Sequence, residues 1–134
     1  MPDGSRQVMP FTDCKGITPA GNMSSTVKDM ARFVSWQFRL RESGGNEIVK
    51  ASTLKEMQRV HWLYPDWKAG WGLGFHIMHK EARDLVGHGG HVAGYQTDVH
   101  ISPKEKVGVI ALVNASDANP YAFVPFSLVD RAFE

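Results

Sequence analysis

The chain has 134 residues, 43% hydrophobic and 22% charged, which is room for one domain with a modest core. Its net charge of +1, carried by scattered rather than striped basic residues, gives no reason to expect nucleic acid or an anionic membrane as a partner. No apolar run approaches the ~20 residues of a membrane helix, no apolar signal segment opens the chain, and Cys14 has no second cysteine to pair with.

Residues 1–23 read as an irregular N-terminal segment, because Pro2, Gly4, Pro10, Gly16, Pro19 and Gly21 interrupt any period. Residues 24–134 read as the C-terminal part of a single, incomplete domain. Ser24 and Ser25 open a helix in which Val27, Met30, Ala31, Val34 and Phe38 recur at helical spacing, and Gly44-Gly45-Asn46 ends it. A shorter helix starts at Ser52 and turns Leu54, Met57 and Val60 inward. After Pro65 the period becomes two: Trp71, Leu73, Phe75 and Ile77 alternate with Gly72, Gly74 and His76, the pattern of one strand with a small-residue face.

Leu85 and Val86 lead a second strand into Gly87-His88-Gly89-Gly90-His91, and Tyr95, Thr97, Val99 and Ile101 mark a third. Residues 102–106 form a hairpin connection. Val107–Val113 is apolar on both faces and is expected to be a central strand covered on both sides. Asp117 or Asn119 caps a last helix striped by Tyr121, Val124, Leu128, Val129 and Ala132. The order predicts an α/β (α+β) fold, an antiparallel sheet flanked by helices. One terminal helix cannot cover both faces of the last strand, so a complementing N-terminal part or an oligomeric partner is expected over the open sheet.

The glycine-histidine run carries the chemistry. Glycines inside a strand mark a bulge or a close approach by a ligand or a second backbone. A histidine beside such a gap moves protons near neutral pH. The run reads as the floor of a site that lacks a nucleophile.

Several segments together resemble the serine β-lactamase-related family of class C β-lactamases, DD-carboxypeptidases and β-lactamase-like esterases. They are Thr18-Pro19-Ala20-Gly21-Asn22-Met23-Ser24-Ser25-Thr26 with Asp29-Met30-Ala31-Arg32-Phe33, then Ser52-Thr53-Leu54, then Gly70-Trp71-Gly72-Leu73-Gly74-Phe75. Gly87 through Tyr95 and Pro103 through Asn114 complete the set, in order. The resemblance implies part of a β-lactamase/transpeptidase-like fold and an acyl-enzyme mechanism. In that mechanism a Ser-x-x-Lys supplies nucleophile and base, and a Tyr-x-Asn or Ser-x-Asn follows. His88-Gly89-Gly90 stands for the third motif, with the His91 backbone N–H in the oxyanion hole. The implied partner is a short ester, a small amide or a D-amino-acid peptide, and no cofactor is expected.

Ser-x-x-Lys occurs twice, at Ser25–Lys28 and Ser52–Lys55, and both copies sit at helix starts where serine is the ordinary cap. Neither is followed by Tyr-x-Asn before His88, so both read as decoys. The chain therefore reads as the C-terminal fragment of such a hydrolase, inactive alone, with a non-catalytic α+β binding or interaction module as the alternative. Histidine at position 88, where lysine is usual, is mostly neutral at pH 7. With Gly89 in place of a hydroxyl residue, it argues against an anionic substrate. His88 and His91 do not aim at one point on a strand, so no metal is expected. His61, His76, His79 and His100 read as surface or strand-face residues. Trp62, Trp67 and Trp71 divide between substrate rim and core, and Asp98 between a histidine partner and solvent.

Overall fold

The computed structural model describes Ser5, residues 7–80 and residues 83–116. The helix expected beyond Asp117 lies outside the described residues. A 3-10 turn at Lys15–Ile17 runs into one helical turn, α1 (Thr18–Gly21), with Pro19 in its first two positions. Two helices follow, α2 (Val27–Ser43) and α3 (Ala51–Met57).

Thr26, not Ser24 or Ser25, caps α2. Its hydroxyl accepts from the Asp29 N–H at 3.1 Å and donates to the Asp29 carboxylate at 2.9 Å. Asp29 in turn holds Arg32 at 2.7 Å. Thr26→Ala is expected to lower stability by about 1 kcal/mol, read as a lower urea midpoint with an unchanged slope. Gly44, in the left-handed region at φ 69, closes the helix with its N–H on the Leu40 carbonyl.

The buried stripe of α2 is Val34, Gln37 and Leu40, while Val27 and Ala31 stay exposed. The stripe expected from Val27 to Phe38 is thus displaced toward the C-terminus, where α2 meets α3 and the last strand. A polar residue belongs to it because Gln37 has a partner. Gln58 Nε2 donates to Gln37 Oε1 at 2.6 Å, and Arg41 donates to Gln58 Oε1 at 2.6 Å. Burial lowers the Arg41 pKa.

Six strands make one antiparallel sheet in sequential order: β1 (Trp62–Leu63), β2 (Ala69–Trp71), β3 (His76–Lys80), β4 (Arg83–Val92), β5 (Tyr95–Ser102) and β6 (Val107–Val113). The single strand expected from Trp71 to Ile77 is instead a turn between β2 and β3. Gly74 takes φ 77, and the Gly72 N–H donates to the Phe75 carbonyl at 2.8 Å. A methyl group on Gly72 would stand 2.2 Å from the Met57 carbonyl oxygen, so this glycine lets the turn lie against the end of α3. The alternation was real, but its small residues belong to a bend.

β6 pairs with β5 alone among the described residues, so there it is an edge strand and not the central one its composition predicts. Val34, Ile77, Val86 and Ile101 form the core between α2 and the sheet. Leu40, Ala51 and Leu54 form a second cluster, and Phe75 packs against both. The β5–β6 connection is the expected hairpin, tied to α2 by Lys106 and Glu42 at 2.7 Å.

Candidate active site

β3 ends its pairing with β4 at His76↔Gly87, whereas β5 continues to pair along β4 as far as Val92↔Tyr95. From His88 to Val92, therefore, β4 has one edge without a strand among the described residues. The predicted site residues lie along this stretch. His88 pairs with Val99, Gly89 with Asp98, Gly90 with Thr97 and His91 with Gln96. His88, Gly90 and His91 are exposed and Gly89 is half-buried.

The His88 ring Nδ1 donates to the Gly89 carbonyl, which can only accept. The neutral ring therefore presents Nε2 as its basic nitrogen. The ring centroid lies 5.5 Å from that of Trp71, which is itself 4.9 Å from His76. Trp71 is pinned by its Nε1–H, which donates to the Tyr64 hydroxyl at 2.7 Å. Of the three tryptophans considered for a rim, Trp71 alone touches the motif. Trp62 and Trp67 point into solvent, 62% and 78% exposed.

The close approach expected at the glycines comes from β5 itself, and β4 runs through them without a bulge. A Cβ on Gly87 would stand 2.7 Å from His100 Cδ2, and one on Gly90 would stand 2.7 Å from the Thr97 hydroxyl. Thr97 thus brings a hydroxyl beside the strand that Gly89 cannot offer.

His100 is not a surface residue. Its side chain is 4% exposed, that of Asp98 is 1% exposed, and its Nδ1 donates to Asp98 Oδ2 at 2.9 Å. The alternation of β5 put Asp98 and His100 on one face, which is the signal that could have paired them. What sequence could not give was their burial. His61 is half-buried against Glu56, and His79 meets Asp84 at 2.9 Å on the surface.

His76 has its pKa pushed down, first by burial, then by the charges of His100 and His88, with Asp98 opposing. The unfolded chain therefore takes up a proton at a higher pH than the folded one. This contribution to stability is complete above the ordinary imidazole pKa of about 6.5 and falls as pH drops through it toward the lower folded value. His76→Gln is expected to reduce the loss of urea midpoint between about pH 7.5 and about pH 5.5.

Neither Ser-x-x-Lys joins this site. Ser25 precedes the Thr26 cap, and its hydroxyl meets the Thr26 carbonyl at 3.4 Å, so it does not share a helix face with Lys28. Ser52 and Lys55 do lie on α3, where with Gly44, Gly45 and Asn46 they line a shallow surface depression. Among the described residues, no hydrogen bond connects either pair to His88–His91. Among the described residues, no group of three or more His, Cys, Asp or Glu side chains is arranged to hold a metal.

A family model described as Beta-lactamase matches residues 1–132. "Beta-lactamase-like protein 2" of Dictyostelium discoideum is 27% identical over 111 residues. That match takes in 81% of this chain and 20% of the longer protein. The structure of an octameric penicillin-binding protein homologue from Pyrococcus abyssi superposes with a TM-score of 0.69 at 27% identity. It covers 82% of this chain and 25% of its own, so the chain spans a quarter or less of each relative.

Proposed function

The chain belongs to the β-lactamase family, and from that we propose that β4 is the sheet half of an acyl-transfer site whose nucleophile stands on chain outside these 134 residues. The observation that carries this reading is the open edge of β4 from His88 onward, with a basic imidazole nitrogen and a fixed aromatic ring beside it. An extended substrate can lie along an unpaired strand edge and use its backbone groups. A serine attacks the substrate carbonyl, and its lysine takes the proton. The backbone at Gly90–His91 stabilises the oxyanion, and His88 Nε2 assists proton transfer to the leaving group.

The substrate is a short ester, a small amide or a D-amino-acid peptide. No lysine stands in the third motif to bind a carboxylate, which favours an uncharged acyl group. β6, apolar on both faces and with one edge unpaired among the described residues, is the seam where the remaining part of the domain or a further copy docks. The octameric archaeal homologue makes assembly a natural companion of this seam.

The test is labelling by a fluorophosphonate and turnover of a p-nitrophenyl ester. Both are expected in protein extended upstream to the length of its relatives and absent from this chain. In the extended protein His88→Ala should lower kcat/KM by about 10²–10⁴, while Ser25→Ala and Ser52→Ala leave it unchanged. Serine-dependent turnover by this chain alone, abolished by either serine substitution, would overturn the reading.

A further inference from the structure

His76, Gly87 and His100 occupy one row across β3, β4 and β5, since each flanking residue is the register partner of Gly87. Their strands lie two spacings apart, about 9–10 Å, and the residue between them has no side chain. The His100 ring uses that space. Its Cδ2 stands 2.7 Å from where a Gly87 Cβ would be. In the next row on the same face Asp98 pairs with Gly89, again a residue without a side chain. The buried couple thus lies under the two glycines that flank His88. Among the described residues, Asp98 Oδ1 and His100 Nε2 are buried without a hydrogen-bond partner, an expensive arrangement for a purely structural contact.

We propose that Asp98 and His100 are a positioning couple for the candidate site, acting across Gly87 on His76 and through it on the Trp71 ring that packs at a tilt against His88. This rests on β4 being the site strand. Asp98 accepts from His100, His100 stands across Gly87 from His76 and acts on it through its charge, His76 packs on Trp71, and Trp71 packs on His88. The groups facing His76 are Trp71 and Tyr64 from the β1–β2 hairpin, Gly87 and His88 from β4, and His100 and Asp98 from β5. Of these, His100 and His88 disfavour its protonated form and Asp98 favours it. The couple therefore sets the charge of a ring at the back of the aromatic wall, beyond holding two strands together.

The experiment is a pH titration of the histidine ring resonances by NMR on this chain, for the wild type, Asp98→Asn and His100→Gln, with folding checked by circular dichroism. The two variants should move the His76 midpoint in opposite directions, upward for His100→Gln and downward for Asp98→Asn. A structural contact alone would move neither. In the wild type the Trp71 Nε1–H and His88 ring signals should follow the His76 midpoint, and His100 Hδ2 should show an Overhauser contact to Gly87 Hα. These wild-type signals decide the matter if a variant fails to fold. An unmoved His76 midpoint in folded variants, or wild-type spectra without the contact and the shared midpoint, overturns the proposal. Intact coupling in a protein whose extended form hydrolyses nothing would instead refute the hydrolase reading alone.

Discussion

Gly87→Ala is expected to abolish the cooperative unfolding transition of this chain. The added methyl would stand 2.0 Å from the Val99 carbonyl oxygen and 2.9 Å from His100 Cα, both backbone atoms of the neighbouring strand. A flexible side chain could swing away, but a strand in the middle of a ladder cannot. To make room, β4 and β5 must part directly beside the Val86↔Ile101 pair, where Leu85, Val86 and Ile101 are buried in the core. That exceeds the ~1–3 kcal/mol of ordinary overpacking, against a total stability of about 5–15 kcal/mol for a typical domain. Urea titration followed by near- and far-UV circular dichroism reads the result. Gly16→Ala, which meets nothing within 4 Å, is the control and should shift the midpoint little. An unchanged midpoint for Gly87→Ala would contradict the His100 placement.

The second large effect concerns the buried pair. His100→Phe keeps a ring over Gly87 but removes the only described donor to Asp98, whose side chain is 1% exposed. Breaking a buried pair from one side costs about 3–5 kcal/mol, because a carboxylate is left without compensation. Replacing both partners with apolar residues is commonly neutral or stabilising. Asp98→Val combined with His100→Phe is therefore expected to recover most of the loss. A double-mutant cycle from urea midpoints checks this. Two single variants as stable as the wild type would mean that the pair carries no burial penalty.

These two positions also show how far the sequence could be read. The three-strand run from Leu85 to Val113, its hairpin and both helices were legible because their periods and glycine stops are local. Gly87 was legible as a close-approach site, but its visitor was not, since a ring arriving from β5 depends on register. Trp71-Gly72-Leu73-Gly74-Phe75 was misread as one strand, because alternation cannot tell a pleat from a turn that packs on the end of α3. The proposed third-motif residues, His88 to His91, come from sequence pattern. Trp71, Thr97 and the Asp98–His100 couple join them only through packing.

The sheet has a kinetic consequence as well. Every strand pairs with its neighbour in the chain, so all of its ladders close short loops. Such hairpins form in about 1–10 μs and need no distant segment to template them. The docking of α2 on β6, together with that of α1 on β4, brings far-apart parts of the chain together. Relative contact order governs folding rate in small domains, so this closure, not sheet formation, should limit how fast the chain folds. On a ribosome, the strands bearing the glycine-histidine run would then assemble in the order they emerge, and α2 would dock only once β6 has cleared the exit.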